Sequence, residues 1–191
     1  MGCIVLKINE AFYSIQGEGH NAGLPAIFIR LSGCNLSCRW CDSKYANKGR
    51  TMKLEPIMKR IEGLKCKNVI ITGGEPLLQD LTSLVIALHN NDYYIGIETN
   101  GTIDINSSLR NRIDWITVSP KSKNVKLRCC NECKVVWTGK EDLEWFEENI
   151  NADYYYLQPC SMENIEETVN KVKENIKWRL SLQTQKLINI K

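Results

Sequence analysis

The chain has 191 residues, 43% hydrophobic and 25% charged, and its 25 basic and 22 acidic side chains leave a net charge of +3. That length suits one compact domain over residues 1–191. The charges are interspersed, with no basic block to act as a nucleic-acid arm. No run of about 18 apolar residues appears, so the sequence predicts a cytoplasmic protein with a small-molecule partner, no direct nucleic acid and no membrane span.

The first core strand is expected in PAIFIRLSG, 25–33. Leu54, Ile57, Met58 and Ile61 then mark one face of a helix, and NVIIT (68–72) reads as a buried parallel strand. Asp80 is a candidate N-cap for a helix carrying Leu81, Leu84, Val85 and Leu88, followed by a strand in YYIGIET, 93–99. Further strands are predicted in WITVS (115–119) and CKVVW (133–137), with 121–133 open to either a loop or a broken helix. A helix over 141–149 precedes YYYLQP (154–159), where the run of tyrosines suits a strand better than base stacking. Ile165, Val169, Val172 and Ile176 trace a last helix face before a strand in RLSLQ, 179–183.

Such alternation implies right-handed crossovers and a parallel sheet. The fold class is α/β: a partial (open) TIM-like barrel of about six parallel strands with helices outside, too few strands to close. Ligands of such sheets bind beyond the carboxyl ends of the strands. Those ends carry the cysteine loop, GGEP (73–76), TNG (99–101), SPK (119–121) and QP (158–159).

Nine cysteines in a chain read as cytoplasmic argue against disulfides and for metal binding or catalysis. Cys34, Cys38 and Cys41 stand at C-x3-C-x2-C. Three thiolates leave one position open on a metal centre, whereas a structural zinc site uses four protein ligands and iron–sulfur clusters are usually held by four cysteines. The alternatives are three inert buried thiols or a zinc site completed by a distant residue. The CCNEC cluster of Cys129, Cys130 and Cys133 suits an auxiliary metal poorly, because two of its thiols are adjacent. Cys3, Cys66 and Cys160 read as isolated packing or surface residues, and His20 and His89 are unpartnered in sequence.

The cysteine spacing, Trp40 just before its third cysteine and the GGEP strand end resemble the radical S-adenosylmethionine superfamily. That resemblance implies a 4Fe-4S cluster on Cys34, Cys38 and Cys41, with an open iron for S-adenosylmethionine and one-electron cleavage to a 5'-deoxyadenosyl radical. FYSIQGEG (12–19), GLPAIFIRLSGCNLSCRWCDSKYA (23–46), ETNG (98–101), SPK, LQP (157–159) and RLSLQTQKLINI (179–190) are similar to the 7-carboxy-7-deazaguanine synthase family nearly end to end. The family implies ring contraction of 6-carboxy-5,6,7,8-tetrahydropterin with loss of ammonia, on the route to deazaguanine bases such as queuosine.

Carried over by that resemblance, Trp40, Cys41, Asp42, Gly101, Ser119, Pro120, Lys121 and Gln158 contact S-adenosylmethionine. Ile15, Gln16 and Gly17 frame the pterin, Arg30 pairs with its carboxylate and Thr99 bonds its ring. Arg30 interrupts an apolar strand, and its planar fork matches a carboxylate. Glu18 is a looser candidate for the guanidine-like edge of the pterin. Mg2+ is expected on Ser43, where the family has a threonine. A flavodoxin- or ferredoxin-type electron donor and a homodimer are further implications. The competing readings are a small radical enzyme that activates a glycyl-radical partner and a non-catalytic electron carrier or zinc module.

Overall fold

The computed structural model describes residues 5–42 and 48–191. Among the described residues nine strands form a single sheet: β1 (Val5–Ile15), β2 (Pro25–Leu31), β3 (Arg50–Lys53), β4 (Asn68–Gly73), β5 (Tyr94–Thr99), β6 (Trp115–Val118), β7 (Cys129–Trp137), β8 (Asn151–Pro159) and β9 (Trp178–Leu180). Their order is β3-β1-β2-β4-β5-β6-β7-β8-β9. From β2 through β9 every pairing is parallel, while β1 lies antiparallel to both β2 and β3 at one edge. The helices are α1 (Leu54–Glu62), α2 (Thr82–Asn90), α3 (Ser107–Arg110), α4 (Leu143–Asn149), α5 (Ile165–Glu174) and α6 (Thr184–Leu187). The open α/β barrel read from the sequence is therefore present, with one parallel strand more than about six.

Alternation along each strand sorts the two faces. Ile27, Ile29, Leu31, Val69, Ile71, Ile95, Ile97, Ile116, Val118, Cys133, Val135 and Leu157 point outward and form one buried cluster with helix residues such as Ile57, Ile61, Leu84 and Leu88. The opposite face carries a small apolar group, Ala26, Phe28 and Ile70, packed with Phe12. Above that group its residues turn polar. The sheet curls enough for the loop after β1 to reach β5 and β7: Gln16 donates to Glu98 at 2.8 Å, and the His20 N–H donates to Glu132 at 2.9 Å.

Several expectations shift. Asp80 accepts from Thr82 N at 3.0 Å, but α2 begins one residue later than the expected cap implies. The segment 121–133 is irregular chain followed by strand, so β7 starts at Cys129 rather than Cys133. Likewise β8 starts at Asn151, and β9 ends at Leu180, short of Gln183. Ile176 does not extend the face of α5: that helix ends at Glu174, and Ile176 is 98% exposed in the turn that leads to β9. The strands β1 and β3 escaped the sequence reading altogether. Lys7, Asn9 and Glu10 break the apolar pattern of β1, as suits an antiparallel strand with one solvated face, and β3 is only four polar-rich residues long. Among the described residues no helix is long and apolar enough to cross a membrane.

Leu84 is fully buried between α2 and the sheet. Leu84→Ala removes that contact and leaves a cavity, so it is expected to lower stability by roughly 2–5 kcal/mol. Denaturant unfolding would show this as a lower midpoint with an unchanged slope.

Candidate active site

The loop after β2 carries the cysteines. Its first half is fixed by backbone: Gly74 N donates to Leu31 O at 3.3 Å and Glu75 N to Gly33 O at 2.8 Å. A Cβ on Gly74 would sit 2.1 Å from Gly33 O, so only glycine lets the two strand-end loops touch. Gly33 itself has φ +100°, in the region that favours glycine. Asn35 donates to Thr102 at 2.8 Å and accepts from Asn100 at 3.0 Å, tying the same loop to the turn after β5.

Glu75 is fully buried and accepts from Thr99 Oγ1 at 2.7 Å, Asn100 N at 2.7 Å and Leu77 N at 3.0 Å. Burial raises its pKa against those hydrogen bonds. Thr99 accordingly acts as a strut: its hydroxyl is engaged by Glu75, and its carbonyl accepts from Ser119 N at 2.7 Å.

Cys34 and Cys38 are half-buried, and Cys41 is exposed. Leu36 N donates to Cys34 Sγ at 3.4 Å, and Cys41 N donates to Cys38 O at 3.2 Å, so one tight turn presents the thiols. Burial raises the Cys38 pKa, the Lys121 charge opposes it, and the neighbouring Cys41 and Cys34 raise it further. Three mutually repelling thiolates in one loop are a donor set that a cationic iron centre neutralises. Among the described residues no three His, Cys, Asp or Glu side chains converge on a single ion. A cluster in which each thiolate binds its own iron does not require such convergence. Trp40 Nε1 is buried without a partner among the described residues and borders a cleft of about 190 Å3 lined by Pro120, Lys121, Ser122, Val136 and Phe146. Lys121 donates to the carbonyl and hydroxyl of Ser119 at 2.8 and 2.6 Å. Burial lowers the Lys121 pKa, and the nearby Lys134 charge adds to the effect. The three thiols, the orphaned indole and the cleft beside Lys121 fit a cluster with an adenosyl cofactor next to it.

The interior of the curled sheet lies next to this loop. Arg30 pairs with Glu10 at 3.1 Å and covers the Phe12 ring, with both charged groups partly exposed. Lys191 Nζ reaches the same Glu10 carboxylate. Gln16 is buried and Gly17 is packed so closely against Gln185 that a Cβ would lie 1.8 Å from its amide oxygen. Ile15 ends β1 beside them. Gly101 turns at φ +75° and its carbonyl accepts from Lys126 N at 2.8 Å, while buried Gln158 accepts from Ser181 at 3.0 Å. The structure thus gathers Arg30, Gln16 and Gly17 near the interior and Trp40, Pro120 and Lys121 around the cleft. Ser43 lies outside the described residues.

Sequence reading missed Thr72, Glu98 and Lys134. Thr72 donates to Glu98 at 2.9 Å. Lys134 Nζ lies 2.6 Å from Glu18, and Gln183 and Gln185 each donate to the other Glu18 oxygen at 2.9 Å. Burial works to raise the Glu18 pKa, but the Lys134 charge and these hydrogen bonds bring it down to about 2. Burial likewise opposes charge on Lys134, yet Glu18, Glu98 and Glu132 hold it protonated. The available signal was the one that singled out Arg30: Thr72, Glu98 and Lys134 are also polar residues on strands that are otherwise apolar.

Cys130 and Cys133 belong to the outer core, and burial pushes the Cys130 thiol up to about 12. With Cys129 exposed, the CCNEC thiols do not face a common point.

An open barrel with a three-cysteine loop at its strand ends defines a radical SAM domain, and the model of the radical SAM superfamily matches residues 28–178. Curated relatives named 7-carboxy-7-deazaguanine synthase include one from Bacteroides thetaiotaomicron, 46% identical over 97% of this chain and 98% of that protein. Another, from Haemophilus influenzae, is 38% identical over 96% and 93% of the two chains. The crystal structure of QueE from Escherichia coli superposes with a TM-score of 0.80 at 31% identity, covering 94% of each chain. The chain belongs to the 7-carboxy-7-deazaguanine synthase family.

Lys134→Met strands the Glu18 carboxylate in the interior and is expected to cost about 3–5 kcal/mol at neutral pH. A carboxylate whose folded pKa is depressed contributes stability above the unfolded value, and that stability fades as pH falls from 4.5 toward about 2. The gap between wild type and variant should therefore narrow across that window in denaturant titrations. A constant gap would assign the loss to packing instead.

Proposed function

We infer that this chain is a radical SAM lyase that contracts 6-carboxy-5,6,7,8-tetrahydropterin to 7-carboxy-7-deazaguanine with loss of ammonia. The observation that carries the reading is the polar inner face of the sheet beside the cysteine loop, where Gln16 and Thr72 both bond Glu98, Lys134 pairs with Glu18, and Arg30 pairs with Glu10. That chemistry suits a small anionic heterocycle rich in donors and acceptors, and it does not suit an extended peptide.

Cys34, Cys38 and Cys41 would hold a 4Fe-4S cluster, which together with S-adenosylmethionine supplies an adenosyl radical able to take hydrogen from the pterin. Trp40, Asp42, Gly101, Ser119, Pro120, Lys121 and Gln158 would line the S-adenosylmethionine. Ile15, Gln16 and Gly17 would frame the pterin, and Thr99, whose hydroxyl is engaged by Glu75, would bond its ring. Arg30 would turn from Glu10 to the pterin carboxylate. The Arg30–Glu10 pair is partly exposed and weakly held, and Lys191 keeps a cation at Glu10 when Arg30 leaves. Ser43 would offer a hydroxyl to Mg2+, which keeps most of its waters in such sites. The 191 residues would work as one domain, in a homodimer, with the electron arriving from a flavodoxin- or ferredoxin-type protein.

Anaerobic protein reconstituted with iron and sulfide, then given dithionite, S-adenosylmethionine, Mg2+ and the carboxy-tetrahydropterin, is expected to form 7-carboxy-7-deazaguanine by mass. Cys38→Ala should abolish both product and the iron–sulfur absorbance. Formation of 5'-deoxyadenosine without this product would overturn the pterin reading while leaving the radical chemistry in place. Removing divalent ions is expected to slow turnover, and equal rates with and without a chelator would refute the role given to Ser43.

A further inference from the structure

The Gln183 side chain is 4% exposed and occupies a junction that the reaction described above does not use. Its amide nitrogen donates to Glu18 Oε1 at 2.9 Å and to Asp42 Oδ2 at 3.1 Å. Its amide oxygen accepts from Lys186 Nζ at 2.8 Å, and the same ammonium lies 2.9 Å from Asp42. Only this orientation of the amide works: a flip would set its oxygen against two carboxylates and its NH2 against an ammonium. Glu18 belongs to the loop that enters the sheet's interior, and Asp42 directly follows the third cysteine. One buried amide therefore spans the wall between the substrate space and the cofactor loop.

The two carboxylates it joins are held very differently. Glu18 is fixed from three sides, by Lys134, Gln183 and Gln185. Among the described residues Asp42 bonds Gln183 and the partly exposed Lys186, and a solvent-exposed ion pair contributes little by itself. The buried amide is thus the firmer of the two restraints on Asp42, and it transmits the position of Glu18.

We propose that Gln183 is a positioning residue that couples occupancy of the pterin space to S-adenosylmethionine binding, by holding Asp42 in register with Glu18. The inference rests on the reading above that places the pterin beside Ile15–Gly17 and the cofactor beside Asp42. A pterin that bonds Glu18 engages the same carboxylate that Gln183 holds, so its arrival reaches Asp42 through one amide. Coupling of this kind is reciprocal, because each ligand must tighten the other by the same factor.

The test uses reconstituted holoenzyme with an oxidised cluster, which binds S-adenosylmethionine without cleaving it. Equilibrium dialysis would give the dissociation constant of labelled S-adenosylmethionine with and without saturating carboxy-tetrahydropterin. Wild type is expected to bind the cofactor about tenfold more tightly when the pterin is present, within the usual range of such couplings. Gln183→Leu should bring that ratio to near one. Gln183→Asn, which keeps a buried amide too short to span both carboxylates, should do the same and serves if the leucine variant does not fold. A merely structural role would weaken binding or lower the unfolding midpoint while leaving the ratio intact. An intact ratio in a folded variant, or no coupling in wild type, overturns the proposal. Failure of the wild type to make 7-carboxy-7-deazaguanine in the turnover assay would instead remove the functional reading on which it rests.

Discussion

The buried ion pair between Lys134 and Glu18 is the interaction that the interior of this molecule is arranged around. Two opposite charges taken out of water are tolerated only when geometry and further hydrogen bonds compensate both. Here the compensation comes from separate parts of the chain: the β1–β2 loop supplies Glu18, β7 supplies Lys134, and the segment after β9 supplies Gln183 and Gln185. The pair therefore does more than stabilise one contact. It fixes where the loop from one edge of the sheet and the chain from the other edge meet, and so closes the open side of a barrel that has too few strands to close itself.

That closure explains the division of labour between the two faces. The outer face is almost purely apolar and packs under the helices, which gives the sheet its stability without specifying any chemistry. The inner face trades apolar burial for a set of polar groups that satisfy one another: Thr72 with Glu98, Glu98 with Gln16, and Glu132 with the backbone of His20. Polar groups so enclosed are costly unless paired, and a ligand entering among them must replace the bonds it breaks. A small heterocycle with a carboxylate and several ring donors has the inventory to do so.

The outer face was legible from sequence because its signal is periodic. Ile57, Met58 and Ile61, or Leu84, Val85 and Leu88, announce a helix by spacing alone, and the short aliphatic runs announce buried strands. The cysteine loop was legible because three thiols at fixed spacing have few other uses. What escaped was set by contacts between residues far apart in the chain. Thr72 and Glu98 each look like the polar end of a strand until the register of β4 against β5 sets them side by side. Lys134 looks like an interruption in CKVVW until Glu18, 116 residues away, is brought against it. Thr99 adds a contact that its strand-end motif did not announce: its hydroxyl donates to the buried Glu75.

The two ends of the cysteine loop are secured by different kinds of bond. At Gly33 and Cys34 the anchors are backbone hydrogen bonds and a contact that only glycine permits, which leave little freedom. At Cys41 and Asp42 the anchors are side chains, an amide and an ammonium belonging to the closing segment. Cys34 thus sits in a stretch anchored by backbone, while Asp42 is tied by side chains to the closing segment. The closing segment is seated by Glu18, and Glu18 is kept ionised by Lys134. The charge buried in the interior and the cysteine loop are thus joined through a single amide, Gln183.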